Sequence, residues 1–143
     1  PMLVKEILRT KGADVFAIGP DDSIADAIRV LNGKNIGAVV VRDADGGAVG
    51  ILSERDVVRR IGRHGAEAMG MRVRECMTCD LFTCTPETSV DELMTLMTEK
   101  RIRHIPVTNG GRLAGVVSIG DVVKRKIEKV EQEAAALKEY IHS

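Results

Sequence analysis

The sequence contains one seven-residue pattern twice: glycine, two aliphatic residues, serine, two variable residues and aspartate. The pattern runs from Gly50 to Asp56 and again from Gly115 to Asp121. Each copy follows the same order of helix, strand and turn signals, so the repeated unit is a folding unit and not a short motif alone. Units of this size bury too little surface to be stable alone. The two halves are therefore predicted to pack on each other.

Composition limits the classes of partner. The chain of 143 residues has 21 Lys and Arg and 21 Asp and Glu, so its net charge draws it neither to nucleic acid nor to an anionic membrane. No stretch approaches about 18 consecutive apolar residues, and the N-terminus lacks a signal-peptide pattern. We expect a cytoplasmic protein with no nucleic-acid or membrane partner, in which Cys76, Cys79 and Cys84 are reduced thiols.

Each half is predicted to form an extended segment, a helix, a strand, a turn, a strand and a second helix. Ser23 and Ser89 stand where a helix cap is expected, each followed three residues later by an acidic residue and by apolar residues at helical spacing. The dipeptides Asp45-Gly46 and Asn109-Gly110 follow short aliphatic runs and predict hairpin turns. Pro106 has no N–H to donate, so we expect its strand at the edge of a sheet, or Pro106 at the end of that strand.

These signals give four segments. The first repeat and its leading helix span residues 1–62, and residues 63–78 form the connection and the leading helix of the second repeat. The second repeat spans 79–126, and 127–143 extend its last helix. Apolar residues of that helix alternate spacings of four and three, which predicts a seam that docks on its own domain or on a partner subunit. The seam residues are Val123, Ile127, Val130, Ala134, Leu137 and Ile141.

The repeated pattern, preceded by a helix and by the strand Arg103-His104-Ile105-Pro106-Val107, resembles the CBS domain, named for cystathionine β-synthase. Two copies in tandem are similar to a CBS pair, or Bateman module, and the resemblance extends from about Val4 to Lys126. It implies an α/β fold of two βαββα repeats packed with pseudo-twofold symmetry, followed by a long C-terminal helix. It also implies two clefts for an adenosine-containing ligand, here AMP, ATP or NAD(H), a homodimer, and an effector protein that responds to the ligand.

The resemblance makes Asp56 and Asp121 ribose ligands. A carboxylate just inside a helix can accept hydrogen bonds from both ribose hydroxyls. Ser53 and Ser118 stand at helix starts, where backbone N–H groups favour a phosphate, and Arg55 is a further phosphate donor. Serine and aspartate at this spacing also form an ordinary capping box, so helix capping stays open as the alternative role.

By the family's pattern, each cleft combines residues of both repeats. The residues expected beside Asp121 are Ile18, Ile36, Gly37 and Ala38. Those expected beside Asp56 are Thr85, Ile102, Arg103 and His104, and the adenine pockets are completed by Ile51 and Val116. Arg103 and His104 are expected near the meeting line of the clefts as phosphate donors, the alternative being a solvated arginine and a histidine at the core edge. The first repeat has Gly37-Ala38 where the second has Arg103-His104, so the clefts are predicted to differ in affinity.

Other function classes have less support in the sequence. It lacks the Walker, dinucleotide-binding, nucleophile-elbow and zinc-protease motifs, so catalysis is not expected. Cys76 and Cys79 form a CxxC, with Cys84 five residues further on, which leaves a thiol or metal sensor as an alternative. A structural or interaction module with non-functional clefts is another alternative.

Overall fold

The computed structural model describes residues 1–11 and 16–142. It contains α-helices, one 3₁₀-helix and two small sheets, and the predicted α/β class with a long C-terminal helix is confirmed. In chain order the elements are α1 (Val4–Lys11), β1 (Ala17–Ile18), α2 (Ile24–Lys34), β2 (Ala38–Arg42), β3 (Ala48–Ser53), α3 (Glu54–His64), the 3₁₀-helix (Gly65–Gly70), α4 (Val73–Cys76), α5 (Val90–Lys100), β4 (His104–Asn109), β5 (Arg112–Ser118) and α6 (Ile119–His142).

Each repeat contains a β-hairpin and a short segment that runs parallel to the first strand of the hairpin. β2 pairs antiparallel with β3, and β4 pairs antiparallel with β5. β1 runs parallel to β2, where Ile18 pairs with Val41. In the second repeat Cys84 forms the equivalent parallel bridge to Val107. The two halves therefore share one topology, as the repeated sequence predicts.

Local sequence signals account for the helix starts and the turns. The hydroxyls of Ser23 and Ser89 each accept the backbone N–H three residues further on, at 3.1 Å, and α2 and α5 begin directly after them. The hairpin turns contain Gly46 and Gly110, whose φ angles of 85° and 60° lie in the left-handed region that glycine adopts without steric cost. These predicted helices and turns are confirmed.

Pro106 lies inside β4, which pairs with β5 in a two-stranded sheet and among the described residues has only the isolated bridge of Cys84 on its other side, so the predicted edge strand is confirmed. Its carbonyl accepts the N–H of Cys84 at 3.1 Å. Since the N and the C=O of one strand residue point to the same side, the missing donor faces the isolated bridge of Cys84. β4 therefore loses no hydrogen bond to β5, and the proline is tolerated there.

Each leading helix packs in the core of the other repeat. α1 buries Val4 and Ile7 among the residues of α5, β4 and β5, and the N–H of Val4 donates to the carbonyl of Thr88 at 2.9 Å. α4 buries Val73 and Cys76 among the residues of α2, β2 and β3. This exchange holds the two repeats together, because each core is incomplete without a helix from the other half. The residue boundaries of the four segments stay a prediction.

α6 presents its predicted apolar seam to the surface. Val122 near its start is buried, whereas the larger seam residues are exposed: Val123, Ile127, Val130, Leu137 and Ile141. The seam is thus not docked on the described part of its own chain, and docking on a partner subunit stays a prediction. Across residues 1–11 and 16–142, no helix combines the length and the apolar character that crossing a membrane requires.

Candidate functional site

Asp56 and Asp121 each line a cavity between the two repeats. The Asp121 cleft, with a volume of about 350 Å³, is lined by residues of α1, by Phe16, by residues 35–38, and by residues of β4, β5 and α6. The Asp56 cleft, with a volume of about 540 Å³, is lined by Gly37, by residues of β3 and α3, by Thr78 and residues 80–82, and by residues 101–104. Both cavities therefore combine the two repeats, in the way that the family resemblance implies.

Most of the predicted site residues lie where the interpretation of the sequence placed them. Ile36, Gly37, Ala38, Val116 and Ser118 line the Asp121 cleft, and Ile51, Ser53, Arg55, Ile102, Arg103 and His104 line the Asp56 cleft. Gly37 and His104 line both cavities, and a Cβ at Gly37 would lie 3.6 Å from the His104 ring. His104 therefore stands at the meeting line of the two clefts. The ligand-binding roles of these residues stay predictions.

Ile18 and Thr85 are not among the residues that line either cleft. The side chain of Ile18 is buried in the core of the first repeat, and Thr85 is exposed, with its N–H donating to the Thr88 hydroxyl at 3.0 Å. The clefts are lined near these segments by Phe16 and Phe82, which the sequence interpretation did not assign to a site. Phe16 and Phe82 have equivalent positions in the two repeats, and this equivalence is the sequence signal by which they could have been assigned to the clefts.

The carboxylate of Asp56 caps α3 with one of its two oxygens. Oδ2 accepts the N–H of Ser53 at 2.9 Å and its hydroxyl at 3.0 Å, and the Ser53 Oγ in turn accepts the N–H of Asp56 at 3.3 Å. Oδ1 is turned away from the cap and is 3.4 Å from the hydroxyl of Thr78. The capping box is therefore real, but it leaves Oδ1 with capacity for further donors. Capping and ligand binding do not exclude each other here.

Asp121 differs from Asp56 because a lysine contacts it. Its Oδ2 accepts the N–H of Ser118 at 2.8 Å and also the ammonium of Lys11 at 2.7 Å. Burial alone would raise the pKa of Asp121, but the hydrogen bonds from Lys11 and Ser118 outweigh it and the pKa lies below its usual value. Sequence reasoning missed Lys11, which lies 110 residues from Asp121 along the chain.

The Asp56 cleft is rich in arginine. Arg55, Arg59, Arg101 and Arg103 all line it. None of these four guanidinium groups forms an ion pair with a carboxylate of the described residues. Arg59 and Arg101 were not predicted, although the spacing of four residues from Arg55 places Arg59 on the same side of α3. Free guanidinium groups at a cavity wall are well suited to phosphate oxygens.

The pKa of His104 lies below the usual value of a histidine, which favours the neutral imidazole at pH 7. Burial is the main cause that lowers its pKa, and the positive charges of Lys11 and Arg103 lower it further, against the opposing effect of Asp121 and Glu54. A neutral imidazole still carries one N–H donor. His104 can therefore donate one hydrogen bond to a ligand in either cleft, but it does not supply a positive charge there.

The cysteines occupy two kinds of environment. Cys76 and Cys84 are buried in the two cores, whereas Cys79 is exposed. Burial raises the pKa of Cys84 to about 11 and is also the main cause of the raised pKa of Cys76. Within residues 1–11 and 16–142, no group of three or more His, Cys, Asp or Glu side chains is arranged to hold a metal ion. The two buried thiols are core residues of low reactivity.

Comparison with known protein families gives a match to the model of the CBS domain, at residues 4–63 and 73–128. The mitochondrial CBS domain-containing protein CBSX3 of Arabidopsis thaliana is 37% identical over 146 residues, which cover 96% of this chain and 71% of that protein. The CBS domain-containing protein YhcV of Bacillus subtilis is 27% identical over 139 residues, which cover 97% of this chain and 95% of that protein.

Solved structures show the same likeness. A CBS-domain containing protein from Agrobacterium tumefaciens has a TM-score of 0.83 and 47% identity, over 87% of this chain and 92% of that chain. The CBS domain pair of protein MJ0100, in complex with 5′-methylthioadenosine and S-adenosyl-L-methionine, has a TM-score of 0.80 and 25% identity, over 90% of this chain and 99% of that chain. The second structure holds adenosine-containing ligands.

Proposed function

This chain belongs to the CBS domain family as a tandem pair, as its repeat predicts, and we propose that it is a regulatory module that binds an adenine nucleotide, AMP, ATP or NAD(H), in the clefts at Asp56 and Asp121. One observation carries the proposal. In both clefts a carboxylate at a helix start lines a cavity and retains an oxygen that the helix cap does not use. Such an oxygen can accept a ribose hydroxyl, while helix N–H groups favour a phosphate.

The nucleotide acts as a signal and not as a substrate. Ligand binding in a cleft that both repeats line favours one arrangement of the repeats, and Asp121, one of the proposed ribose ligands, lies in the first turn of α6. The exposed seam of α6 is the surface through which we expect a homodimer and a contact with an effector protein. Sedimentation at micromolar concentration measures the dimer. A cytoplasmic location is part of the same proposal, since reduced thiols fit that compartment.

Thermal unfolding with AMP, ATP, NADH and S-adenosylmethionine tests the proposal. Binding stabilises the folded state by RT ln(1 + [L]/Kd), so a millimolar ligand with a micromolar Kd contributes about 4 kcal/mol. For a chain of this size, that raises the melting temperature by roughly 10 °C. The matched controls are GMP and the double variant Asp56→Asn, Asp121→Asn. If none of the four ligands shifts the wild-type melting temperature, the proposed function is wrong.

A further inference from the structure

The ammonium of Lys11 occupies the polar side of the Asp121 cleft. It donates to Oδ2 of Asp121 at 2.7 Å and to the carbonyl of Val116 at 2.8 Å. The exchange of leading helices brings it there, because α1 lies against β5 and α6 of the second repeat. The side chains of Lys11 and Asp121 are 41% and 23% exposed, so the pair is partly hydrated and its ammonium can move.

The Asp56 cleft satisfies the equivalent acceptors with residues that are held in place. Ile51 and Val116 have the same position in the repeated pattern. The carbonyl of Ile51 accepts the backbone N–H of Thr78 at 2.8 Å, and the Thr78 hydroxyl is 3.4 Å from Asp56. Thr78 thus contacts the carbonyl through its backbone N–H and Oδ1 of the carboxylate through its hydroxyl, whereas in the other cleft the Lys11 side chain contacts the carbonyl and Oδ2. Only the Asp121 cleft depends on a long, mobile and charged side chain.

A ribose on Asp121 changes the partners of Lys11. Oδ2 already accepts from Ser118 and from Lys11, so a ribose that uses both carboxylate oxygens displaces the ammonium. A ligand that covers the displaced ammonium without giving it a hydrogen-bond partner binds more weakly, because the ammonium loses water and gains no partner. A ligand with a phosphate gives Lys11 a new, charge-assisted hydrogen bond. Lys11 is the one lysine or arginine among the described residues that line this cleft.

We propose that Lys11 is the specificity-determining residue of the Asp121 cleft, which it restricts to adenosine ligands that carry an anionic group. The inference rests on the proposed function and deepens it, because it names the class of ligand that one cleft takes. Adenosine that uses both oxygens of Asp121 displaces the ammonium without replacing its lost contacts, whereas AMP replaces them through its phosphate. The preference for AMP over adenosine in this cleft therefore comes from Lys11.

Calorimetric titration of the full chain with AMP and with adenosine tests the inference. All proteins carry Asp56→Asn, so that the heat reports on the Asp121 cleft, and the additional variant Asp121→Asn gives the blank. With Lys11 present, AMP is expected to bind about tenfold or more tightly than adenosine, the usual effect of a hydrogen bond between charged groups. In Lys11→Met this ratio falls toward one. Lys11→Arg keeps the charge and the preference for AMP.

Lys5→Met is the matched control, because Lys5 is an exposed lysine of the same helix that lines neither cleft. Lys11→Gln is a second neutral variant in case Lys11→Met does not fold, as judged by circular dichroism. An unchanged ratio in the neutral variants overturns the inference. The inference on Lys11 is also overturned if the Asp121 cleft binds neither AMP nor adenosine in any variant. In that case the proposed function still stands if the wild type binds AMP. If the wild type binds no adenosine ligand at all, both are wrong.

Discussion

Asp56→Asn and Ser53→Ala separate helix capping from ligand binding at the start of α3, two roles that the sequence pattern leaves combined. Asn keeps one acceptor oxygen for the N–H of Ser53, which donates to Asp56 at 2.9 Å. Because the substitution removes a negative charge near the helix N-terminus but no acceptor for that N–H, we expect the free energy of unfolding to fall by only about 0.5 kcal/mol. Ser53→Ala removes the hydroxyl that accepts the N–H of Asp56 and should lower it by about 1 kcal/mol.

The same two variants should have the opposite order in ligand affinity. A ribose on Asp56 makes hydrogen bonds to a charged group, which contribute about 1.5–3 kcal/mol. Their loss in Asp56→Asn corresponds to an increase in Kd of about 10- to 150-fold. Ser53→Ala keeps the carboxylate and the backbone N–H groups of the helix start, and the lost hydroxyl already donates to Asp56 at 3.0 Å, so its Kd should change by less than about threefold, the equivalent of roughly 0.6 kcal/mol. Stability and affinity thus respond to different members of one capping box.

Urea unfolding gives the free energies, and calorimetric titration with AMP gives the Kd values. Both are measured in an Asp121→Asn background, so that the titration reports on the Asp56 cleft. The reasoning is refuted if Asp56→Asn lowers stability more than Ser53→Ala does and leaves the Kd of AMP unchanged. Asp56 would then be only a helix cap, which is the alternative that its sequence pattern allows.

Three further variants or probes test the packing around the clefts. Burial lowers the pKa of His104 in the folded chain, so as the pH falls below about 6.5 the unfolded chain takes up a proton that the folded chain does not. The free energy of unfolding therefore decreases from that pH toward lower pH. His104→Gln should reduce the difference in free energy of unfolding between pH 7.5 and 5.5. Gly50→Ala should destabilise the fold by about 1–3 kcal/mol, and by more than Gly115→Ala does. The new methyl at residue 50 would lie 3.1 Å from a backbone carbonyl that is already hydrogen-bonded, whereas the new methyl at residue 115 would be close only to the end of a leucine side chain. Iodoacetamide at pH 8 should label exposed Cys79 on the order of a hundredfold faster than Cys84, whose pKa burial raises to about 11.

Each of these three expectations has an outcome that contradicts it. An unaltered pH dependence in His104→Gln would mean that the imidazole is not kept neutral by the fold. Equal stability losses in the two glycine variants, measured by urea unfolding, would mean that the backbone beside Gly50 yields as easily as a side chain. Equal labelling rates of Cys79 and Cys84, read by mass spectrometry of the peptides, would mean that the core of the second repeat opens readily.

The sequence predicts those parts of the fold whose causes are local. A serine cap followed by apolar residues at helical spacing is enough to place the start of a helix, as at Ser23 and Ser89. The exchange of leading helices has no local signal. Val4 and Val73 belong to the same apolar pattern, and either helix offers a face that suits either core. Only the path of the chain between them decides which core each helix enters.

Residues of the candidate site can likewise be predicted from the sequence only where the signal for them is local. Asp56 and Asp121 can be recognised because the repeat marks them, and Arg59 could have been recognised from its spacing to Arg55 on α3. Lys11 could not, because its contact with Asp121 depends on the helix exchange. The αL backbone of Arg101, with φ of 53°, ends α5 and is also a property of the folded chain that its residue type does not indicate.

The difference between the two clefts begins with the length of a leading helix. α1 continues to Lys11, whereas α4 ends at Cys76, since residues 78–80 are threonine, cysteine and aspartate, all weak helix formers. The chain after α4 is therefore extended, and Thr78 pairs through its backbone with Ile51. In the other cleft, the carbonyl of Val116 accepts the ammonium of the Lys11 side chain. A ligand in the Asp56 cleft thus meets a backbone edge that is already paired, whereas a ligand in the Asp121 cleft must first exchange a side-chain contact. The affinities of the two clefts should therefore differ even for a ligand whose contacts with the two carboxylates are the same.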